Sequence, residues 1–188
     1  ALKAAISRLI DEEKGIIRLF DPPFERGRGS HDPGYVSSYP AGVRENGGQY
    51  THAAVWLCLA CFKAGLKEEG WRLLKMLSPA SRGAEFGNEP YAMTADIYTN
   101  PNCLGRGGWS LYTGAAGWYW KCILEGLFGV EIKGRRLTAS PNLPDELSGT
   151  SLEIALGGDK AKITFVKGRN GINTAVDIAG DKNTEIGF

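Results

Sequence analysis

The stretch from Gln49 to Leu77, QYTHAAVWLCLACFKAGLKEEGWRLLKML, decides the fold class of this chain. Its first part, up to Ala64, is apolar nearly all round, which predicts a helix buried on most sides. Gly65 follows as a helix stop. From Lys67 onward the apolar residues recur at helical spacing with charged residues between them. The stretch therefore predicts two consecutive helices, as in stacked helical hairpins.

Further elements are predicted on either side of this pair. The N-terminal segment ALKAAISRLIDEEK has apolar residues at helical spacing, and helices are also expected over Tyr91–Tyr98 and Thr113–Phe128. Beyond Gly134 the apolar residues alternate with period two between glycine-rich turns, which predicts a small antiparallel β unit over residues 135–188. The fold class is thus mainly α, with about five helices in residues 1–134.

Composition and charge exclude several classes of protein. The chain has 188 residues, 43% of them hydrophobic and 23% charged, as in soluble globular proteins. A net charge of +1 argues against binding to nucleic acid or to anionic membranes. Because no long apolar run or leader peptide is evident, a cytoplasmic protein without membrane contact is expected. The sequence starts within a predicted helix, which suggests a fragment of a longer protein.

The four cysteines predict neither a disulfide framework nor a metal site. They are too few to hold a chain of this length together, so buried thiols are expected. Cys58 and Cys61 form a C-x2-C pair, but they lie in an apolar run without a second pair of ligands at zinc spacing. No metal is therefore expected.

Glycine and aromatic residues are abundant and often adjacent. The chain has 26 glycines, 5 Trp, 7 Tyr and 7 Phe. Glycine allows close approach of the backbone to a ligand, and aromatic rings stack on sugar faces. This combination favours a carbohydrate site.

The first motif with chemical potential is RENGGQYTH, residues 44–52, at a loop-to-helix junction. Free N–H groups at such a junction favour anions. Glu45 can accept from two sugar hydroxyls, while Gln49 and His52 can donate. The alternative is that Glu45 and Asn46 only cap the helix and His52 is a core histidine, and these residues alone leave both interpretations open.

The second motif is GRGGWSLYTGAAGW, residues 105–118, where a glycine-rich turn again opens a helix. Thr113 and Gly114 could cradle a phosphate or sulfate, with Arg106 as a nearby cation. No Lys follows the glycines, so this is not a P-loop. Alternatively, Thr113 is only an N-cap and the helix glycines serve close packing.

Several other side chains are weaker candidates. Trp109 and Tyr112 precede the helix and could stack on sugar, whereas Trp118 and Trp120 follow helical spacing and are expected in the core. His31 and Asp32 could reach the site from the long glycine-rich loop, although a solvated loop is the simpler interpretation.

Three segments together resemble a known family. PAGVRENGGQYTHAAVW, NEPYAMTADIY and GRGGWSLYTGAAGWYW, in this order and spacing, resemble the C-terminal third of the inverting phosphorylases that include cellobiose and chitobiose phosphorylases. They are most similar to the branch with 1,2-β-oligoglucan phosphorylase and the phosphorylase-like end of cyclic β-1,2-glucan synthase. The resemblance implies an (α/α)6 barrel, with residues 1–134 as its C-terminal portion and residues 135–188 as a small β domain.

The resemblance also implies roles for individual residues. His52, Thr113 and Gly114 match positions that bind the attacking phosphate, and Glu45 matches one that grips the sugar. Ala95 stands where cellobiose phosphorylases have an acceptor-binding Gln, which argues against cellobiose specificity. The remaining candidates for substrate binding are Arg44, Gln49, Asp96, Arg106 and Trp109.

The implied reaction is reversible phosphorolysis of a β-glucosidic bond with inversion, giving α-glucose 1-phosphate. Phosphate is the co-substrate, no cofactor is expected, and a β-glucan oligosaccharide or disaccharide is the partner. Because phosphate is already an anionic nucleophile, the reaction needs only one carboxylic acid. In the family that Asp lies upstream of the matched region. Asp11 and Asp32 are candidates only if the alignment is wrong.

The chain alone is therefore expected to be inactive and to need the N-terminal part of the same enzyme; a homodimer is compatible with this. Two other functions remain open. One is a glycoside hydrolase on the same barrel, which would need a second carboxylate to activate water. The other is a non-catalytic carbohydrate-binding module.

Overall fold

The computed structural model describes residues 1–25, 33–82, 84–111, 113–134, 136–156, 159–168, 171–179 and 185–187. Within these ranges the chain forms five α-helices followed by a region rich in β-strands. The helices are α1 (Leu2–Leu9), α2 (Thr51–Lys63), α3 (Lys67–Met76), α4 (Pro79–Arg82) and α5 (Thr113–Lys121). The strands are β1 (Ile10–Asp11), β2 (Ile16–Ile17), β3 (Gln49–Tyr50), β4 (Asp96–Ile97), β5 (Val130–Lys133), β6 (Arg136–Ala139), β7 (Ser151–Leu156), β8 (Asp159–Gly168), β9 (Gly171–Ala179) and β10 (Glu185–Gly187).

The predicted helix pair is confirmed as α2 and α3. The chain leaves α2 through Gly65, whose φ of +76° is a conformation that glycine adopts without strain. The Gly65 amide donates to the Phe62 carbonyl at 3.0 Å. Because α2 is apolar on most sides, it packs against α3 and α5 at once, with its buried positions at Thr51, Ala54, Val55, Cys58, Cys61 and Phe62.

The N-terminal helix is shorter than predicted. It ends at Leu9, and Ile10 pairs with Ile17 in a β-hairpin. The Asp11 carboxylate accepts a hydrogen bond from the Lys14 amide at 3.0 Å, which stabilises the turn of the hairpin in competition with helix.

The predicted helix over Tyr91–Tyr98 is wrong, since this segment contains β4 instead. β4 pairs antiparallel with β3, so that Gln49 faces Ile97 and Tyr50 faces Asp96. On its other side Ile97 forms an antiparallel bridge with Gly107. An isolated helix of eight residues is only marginally stable. Hydrogen bonds to two neighbouring segments therefore decide that this segment forms a strand.

The predicted helix from Thr113 to Phe128 is confirmed in extent but changes character. α5 ends at Lys121 and continues as a π-helix over Cys122–Leu127.

β5 and β6 then form an antiparallel hairpin whose turn contains Gly134, the predicted end of the helical part. β7, β8 and β9 form the predicted antiparallel meander. β10 differs, because it pairs parallel to β6.

The helices and the β unit share one hydrophobic core. Phe62 of α2 and Leu73 of α3 belong to the same buried cluster as Leu137 of β6 and Phe165 of β8. The Phe128 ring lies 5.1 Å from that of Phe165 and joins the end of the helical region to the meander. Cys58, Cys61 and Cys122 are buried free thiols of this core. None of the described helices is long and apolar enough to cross a membrane.

Candidate functional site

Backbone hydrogen bonds along β4 bring the two motifs together. The Thr51 amide, at the start of α2, donates to the Ala95 carbonyl at 3.0 Å. On the other edge, the Ala95 amide donates to Trp109 at 2.7 Å and the Gly108 amide donates to Asp96 at 2.8 Å. The segment before β4 and β4 itself thus lie between the loop that enters α2 and the loop that enters α5.

Arg44 is the centre of a cluster at this junction. Its φ of +50° lies in the left-handed region, which is strained for a residue with a side chain. The guanidinium carbon lies 4.7 Å from the centre of the Trp109 ring and 5.5 Å from that of Tyr39. The Nε atom lies 3.5 Å from Oε2 of Glu45. Both rings and the carboxylate therefore hold Arg44 in place.

Asp96 is a fully buried carboxylate beside this cluster, with an exposure of 0%. Burial raises the pKa of the Asp96 carboxyl, while the positive charge of Arg44 offsets part of the rise. Burial acts to lower the pKa of Arg44, but the charges of Asp96 and Glu45 outweigh it and leave that pKa raised. The absent side chain of Gly108 makes room, since a Cβ there would lie 2.2 Å from Oδ1 of Asp96.

Buried polar atoms without a hydrogen-bond partner concentrate at this junction. Within the described residues such atoms occur in five side chains, and four of these belong to candidates from the sequence. They are Arg44 Nε, Glu45 Oε2, His52 Nε2 and both carboxylate oxygens of Asp96. Leaving a buried polar group unsatisfied costs about 1–3 kcal/mol, so their clustering is typical of a ligand site.

His52 lies in the first turn of α2, next to α5. Its ring centre is 4.9 Å from that of Trp56 and 5.8 Å from that of Trp118. A cleft of about 370 Å³ on α5 is lined by Gly114, Gly117, Trp118 and Lys121. Thr113 is the first residue of α5, and its side chain lies outside the described part of the structure. His52 thus contacts α5 through Trp118, one helical turn beyond Gly114.

Two polar residues of the first motif have structural contacts. The Gln49 side chain is 2% exposed; its Oε1 accepts from the Ile17 amide at 2.8 Å and its Nε2 donates to Thr51 Oγ1. Asn46, fully buried, accepts from the Phe24 amide and donates to the carbonyls of Phe24 and Tyr39. The N-cap of α2 is Tyr50, without a side-chain capping bond, so the expectation that Glu45 and Asn46 cap the helix is wrong.

The remaining candidates are exposed, have structural contacts or lie outside the described residues. Arg106 is exposed, and Trp109 is 62% exposed with its ring over Arg44. Asp11 accepts from Lys14 and pairs with Arg18, which makes it a structural residue. The loop candidates His31 and Asp32, and Tyr112, lie outside the described residues.

Sequence reasoning missed two aromatic neighbours of the site, Tyr39 and Trp56. Trp56 follows His52 by four residues, so helical spacing could have identified it as a neighbour. Tyr39 reaches Arg44 only through the path of the loop, for which the sequence gives no spacing rule.

A comparison with family models identifies the family of this chain. Residues 1–129, which include both motifs, match the catalytic domain of the glycosyl hydrolase 94 superfamily. The chain belongs to this superfamily. The resemblance found in the sequence is therefore confirmed, and the glycosyl hydrolase 94 match supports a carbohydrate-active enzyme. Five helices followed by small antiparallel sheets fit the superfamily's architecture.

Individual relatives are similar over most of this chain. The chain is 44% identical over 170 residues to the cyclic beta-(1,2)-glucan synthase NdvB of Rhizobium meliloti (strain 1021), covering 87% of this chain and 6% of the synthase. It is 28% identical to the cellobionic acid phosphorylase of Neurospora crassa, covering 81% of this chain and 20% of the relative. For the N,N'-diacetylchitobiose phosphorylase of Vibrio furnissii the identity is 26%, and the coverage is 77% and 18%. The chain thus spans a fifth or less of the length of these relatives.

Proposed function

We propose that this chain forms the phosphate and sugar contacts of an inverting β-glucoside phosphorylase, as the C-terminal portion of an (α/α)6 barrel. The carrying observation is the cluster of buried, unpartnered polar atoms of Arg44, Glu45 and His52 at the junction of the two motifs. Membership of the superfamily supports the enzyme class, and the relatives named as phosphorylases support sugar and phosphate as its substrates.

The phosphate side of the proposed site consists of His52, Thr113 and Gly114. Amides at the start of a helix, such as α5, favour a bound anion, and a glycine there allows close approach. The His52 ring contacts Trp118, which lies one helical turn beyond Gly114 on α5. An imidazole that carries a proton on Nε2 can donate to a phosphate oxygen. Phosphate would thus be a hydrogen-bond partner for the unpartnered Nε2 atom of His52.

The sugar side consists of Arg44, Glu45 and Trp109. Glu45 Oε2 is buried, lies 3.5 Å from Arg44 Nε and has no hydrogen-bond partner among the described residues. It can accept from a sugar hydroxyl without first giving up another hydrogen bond. The Trp109 ring is 62% exposed and can stack on a sugar face.

In the proposed reaction, phosphate attacks the anomeric carbon from the face opposite the leaving oxygen and forms α-glucose 1-phosphate. The phosphate side, with His52, positions the phosphate and partly neutralises its negative charge. The sugar side, with Glu45, orients the sugar. The leaving oxygen takes a proton from a carboxylic acid outside this chain, in the N-terminal portion of the barrel. The isolated chain is therefore proposed to be inactive.

A hydrolase on the same barrel has less support. An inverting hydrolase needs a carboxylate that activates water. Near the cluster, Asp96 has no exposed surface and Glu45 is paired with Arg44. Asp96 therefore lacks the access to water that a general base requires, and Glu45 is already engaged by the Arg44 cation.

The test is the dependence of product formation on phosphate. The complete protein that contains this chain is incubated with β-1,2-glucan oligosaccharides or with cellobiose, and glucose 1-phosphate and glucose are measured separately. We expect glucose 1-phosphate that rises with added phosphate, and none from the 188-residue chain alone. Glucose release without phosphate would establish a hydrolase and reject the proposal, and sugar binding without turnover in the complete protein would establish a binding module.

A further inference from the structure

An open apolar groove lies along α5. It has a volume of about 400 Å³, and its walls come from α5, from Leu111 just before this helix and from the segment Tyr91–Met93 before β4. We propose that this groove is the surface on which the N-terminal portion of the same protein packs, through the apolar side of a helix. The inference rests on the proposed function in one respect, namely that this chain is the C-terminal portion of a larger barrel.

α5 is apolar on two sides, of which only one is covered by the described residues. On the first side Ala115 and Cys122 are fully buried, and Cys122 belongs to the main core cluster. On the second side Ala116, Trp120 and Ile123 follow one another at helical spacing and line the groove. Trp120, which helical spacing predicts in the core, is 59% exposed there. Because a helix that is apolar on most sides is normally buried on most sides, the second side lacks its partner in this chain.

Two more large apolar side chains are exposed at the groove. The Tyr91 side chain is 80% exposed and that of Leu111 is 71% exposed. Leu111 also has a φ of +57°, in the left-handed region, which is strained for a residue with a side chain. Neighbouring exposed apolar side chains of this size are uncommon on a soluble monomer and mark a surface that binds a partner.

The chemistry of the groove fits an apolar protein surface better than a sugar. Its described lining includes no charged side chain. The Tyr119 hydroxyl already donates to the Leu74 carbonyl at 3.0 Å, so it is engaged within the chain. A sugar site needs several free polar groups for the hydroxyls of its ligand, whereas the apolar side of a helix needs a groove of apolar side chains.

The N-terminal portion of the same protein is the occupant that fits the position of the groove. This chain spans a fifth or less of the length of the relatives named above. The groove also adjoins both site segments, since Met93 lies two residues before Ala95 and Leu111 two residues before Thr113. A helix seated here would bring the N-terminal portion beside the site, where the proposed reaction needs a carboxylic acid from that portion. A second copy of this chain would cover the groove without supplying that acid.

The first experiment measures whether the groove is covered in the complete protein that contains this chain. In a Cys103→Ser background, which removes the half-buried thiol, Ala116→Cys is labelled with N-ethylmaleimide and the modified peptide is quantified by mass spectrometry. Val166→Cys on β8 is the matched control, since both positions are exposed in this chain. Relative to the same sites in urea-unfolded protein, Ala116→Cys should react at least about tenfold more slowly than Val166→Cys. Equal rates would overturn the proposal.

The second experiment identifies what covers the groove. In the complete protein a photoreactive benzoylphenylalanine replaces Trp120, and the cross-linked peptides are sequenced by mass spectrometry. We expect cross-links within one molecule to a peptide that precedes residue 1 of this chain. Cross-links between two molecules, or only to residues 1–188 of the same molecule, would overturn the proposal. Labelling of Ala116→Cys that is slowed only by added β-1,2-glucan oligosaccharides would make the groove a sugar site and would likewise overturn it.

Neither experiment measures activity, so the two proposals fail separately. If the complete protein shows no phosphorolysis, the proposed function fails, and labelling and cross-linking still decide what covers the groove. If phosphorolysis is found but the groove stays open, the proposed function holds and this inference fails.

Discussion

The imidazole of His52 and the indole of Trp118 lie with their ring centres 5.8 Å apart, although the two residues are 66 positions apart in the chain, one in the first turn of α2 and the other in the second turn of α5. Gly114 precedes Trp118 by four residues and therefore lies on the same side of α5. This contact brings the imidazole of the first motif to the helix that the second motif begins, one turn beyond Gly114. It is the relationship on which the proposed phosphate side depends.

The first prediction concerns His52. In the complete enzyme, His52→Ala should raise the KM for phosphate about 10- to 100-fold, because a charge-assisted hydrogen bond contributes about 1.5–3 kcal/mol. The KM for sugar should change little. Steady-state kinetics with each substrate varied in turn give both constants, with Lys160→Ala on the exposed face of β8 as control. Equal effects on both constants would mean that His52 is structural.

The second prediction concerns the contact between Gly108 and Asp96. A Cβ at position 108 would lie 2.2 Å from Oδ1 of Asp96, so Gly108→Ala should lower the free energy of unfolding by about 1–3 kcal/mol. Gly117→Ala is the matched control, since nothing lies within 4 Å of a Cβ there and alanine favours helix. It should leave stability unchanged or raise it by up to about 1 kcal/mol. Urea unfolding of the 188-residue chain measures the free energy of unfolding of both variants. If Gly108→Ala is as stable as the wild type, the surroundings of Asp96 can make room for a methyl group.

The third prediction separates a structural role of Gln49 from a substrate role. Its Oε1 accepts from the Ile17 amide at 2.8 Å in a fully enclosed position, so Gln49→Ala should lower the free energy of unfolding by about 1–3 kcal/mol. Asn102→Ala, at an exposed position, serves as the control. Unfolding by urea measures both. A stable Gln49→Ala variant with a selectively raised KM for sugar would instead place Gln49 in the substrate site.

The fourth prediction concerns stability at alkaline pH. Burial raises the pKa of Cys61 from 9.0 to about 11, and burial likewise raises that of the Tyr119 phenol to about 12. A raised folded-state pKa gives stability that is complete below the unfolded pKa and is lost as the pH rises through the folded value. The stabilising contribution of Cys61 should therefore be present below pH 9 and decline toward pH 11.

Urea unfolding at several pH values, under reducing conditions, checks this expectation. Between pH 9 and pH 11, the free energy of unfolding should fall by about 2 kcal/mol less in Cys61→Ala than in the wild type. Cys103→Ala, a half-buried position outside the core cluster, is the matched control and should follow the wild type. Parallel curves for wild type and Cys61→Ala would show that the buried thiol does not contribute to the alkaline loss.

The sequence alone determined the elements whose signal is local. The apolar run of α2, the stop at Gly65 and the period-two pattern of β7 to β9 all depend on residues close in the chain, and the structure confirms them. The motifs around Glu45 and Thr113 also identified the family, because they are distinctive combinations of residues. Their individual roles in the site stay predictions.

Only the tertiary structure decided the rest. The segment around Asp96 is a strand because β3 and Gly107 supply hydrogen bonds from distant positions, which outweigh a weak helical preference. Asp96 is completely buried there and Arg44 lies over Trp109, whereas Gln49 is bonded to the distant Ile17 amide and Asn46 to the Tyr39 carbonyl. Burial and partnership arise from residues far apart in sequence, so no local pattern could have told a substrate contact from a residue that holds one in place.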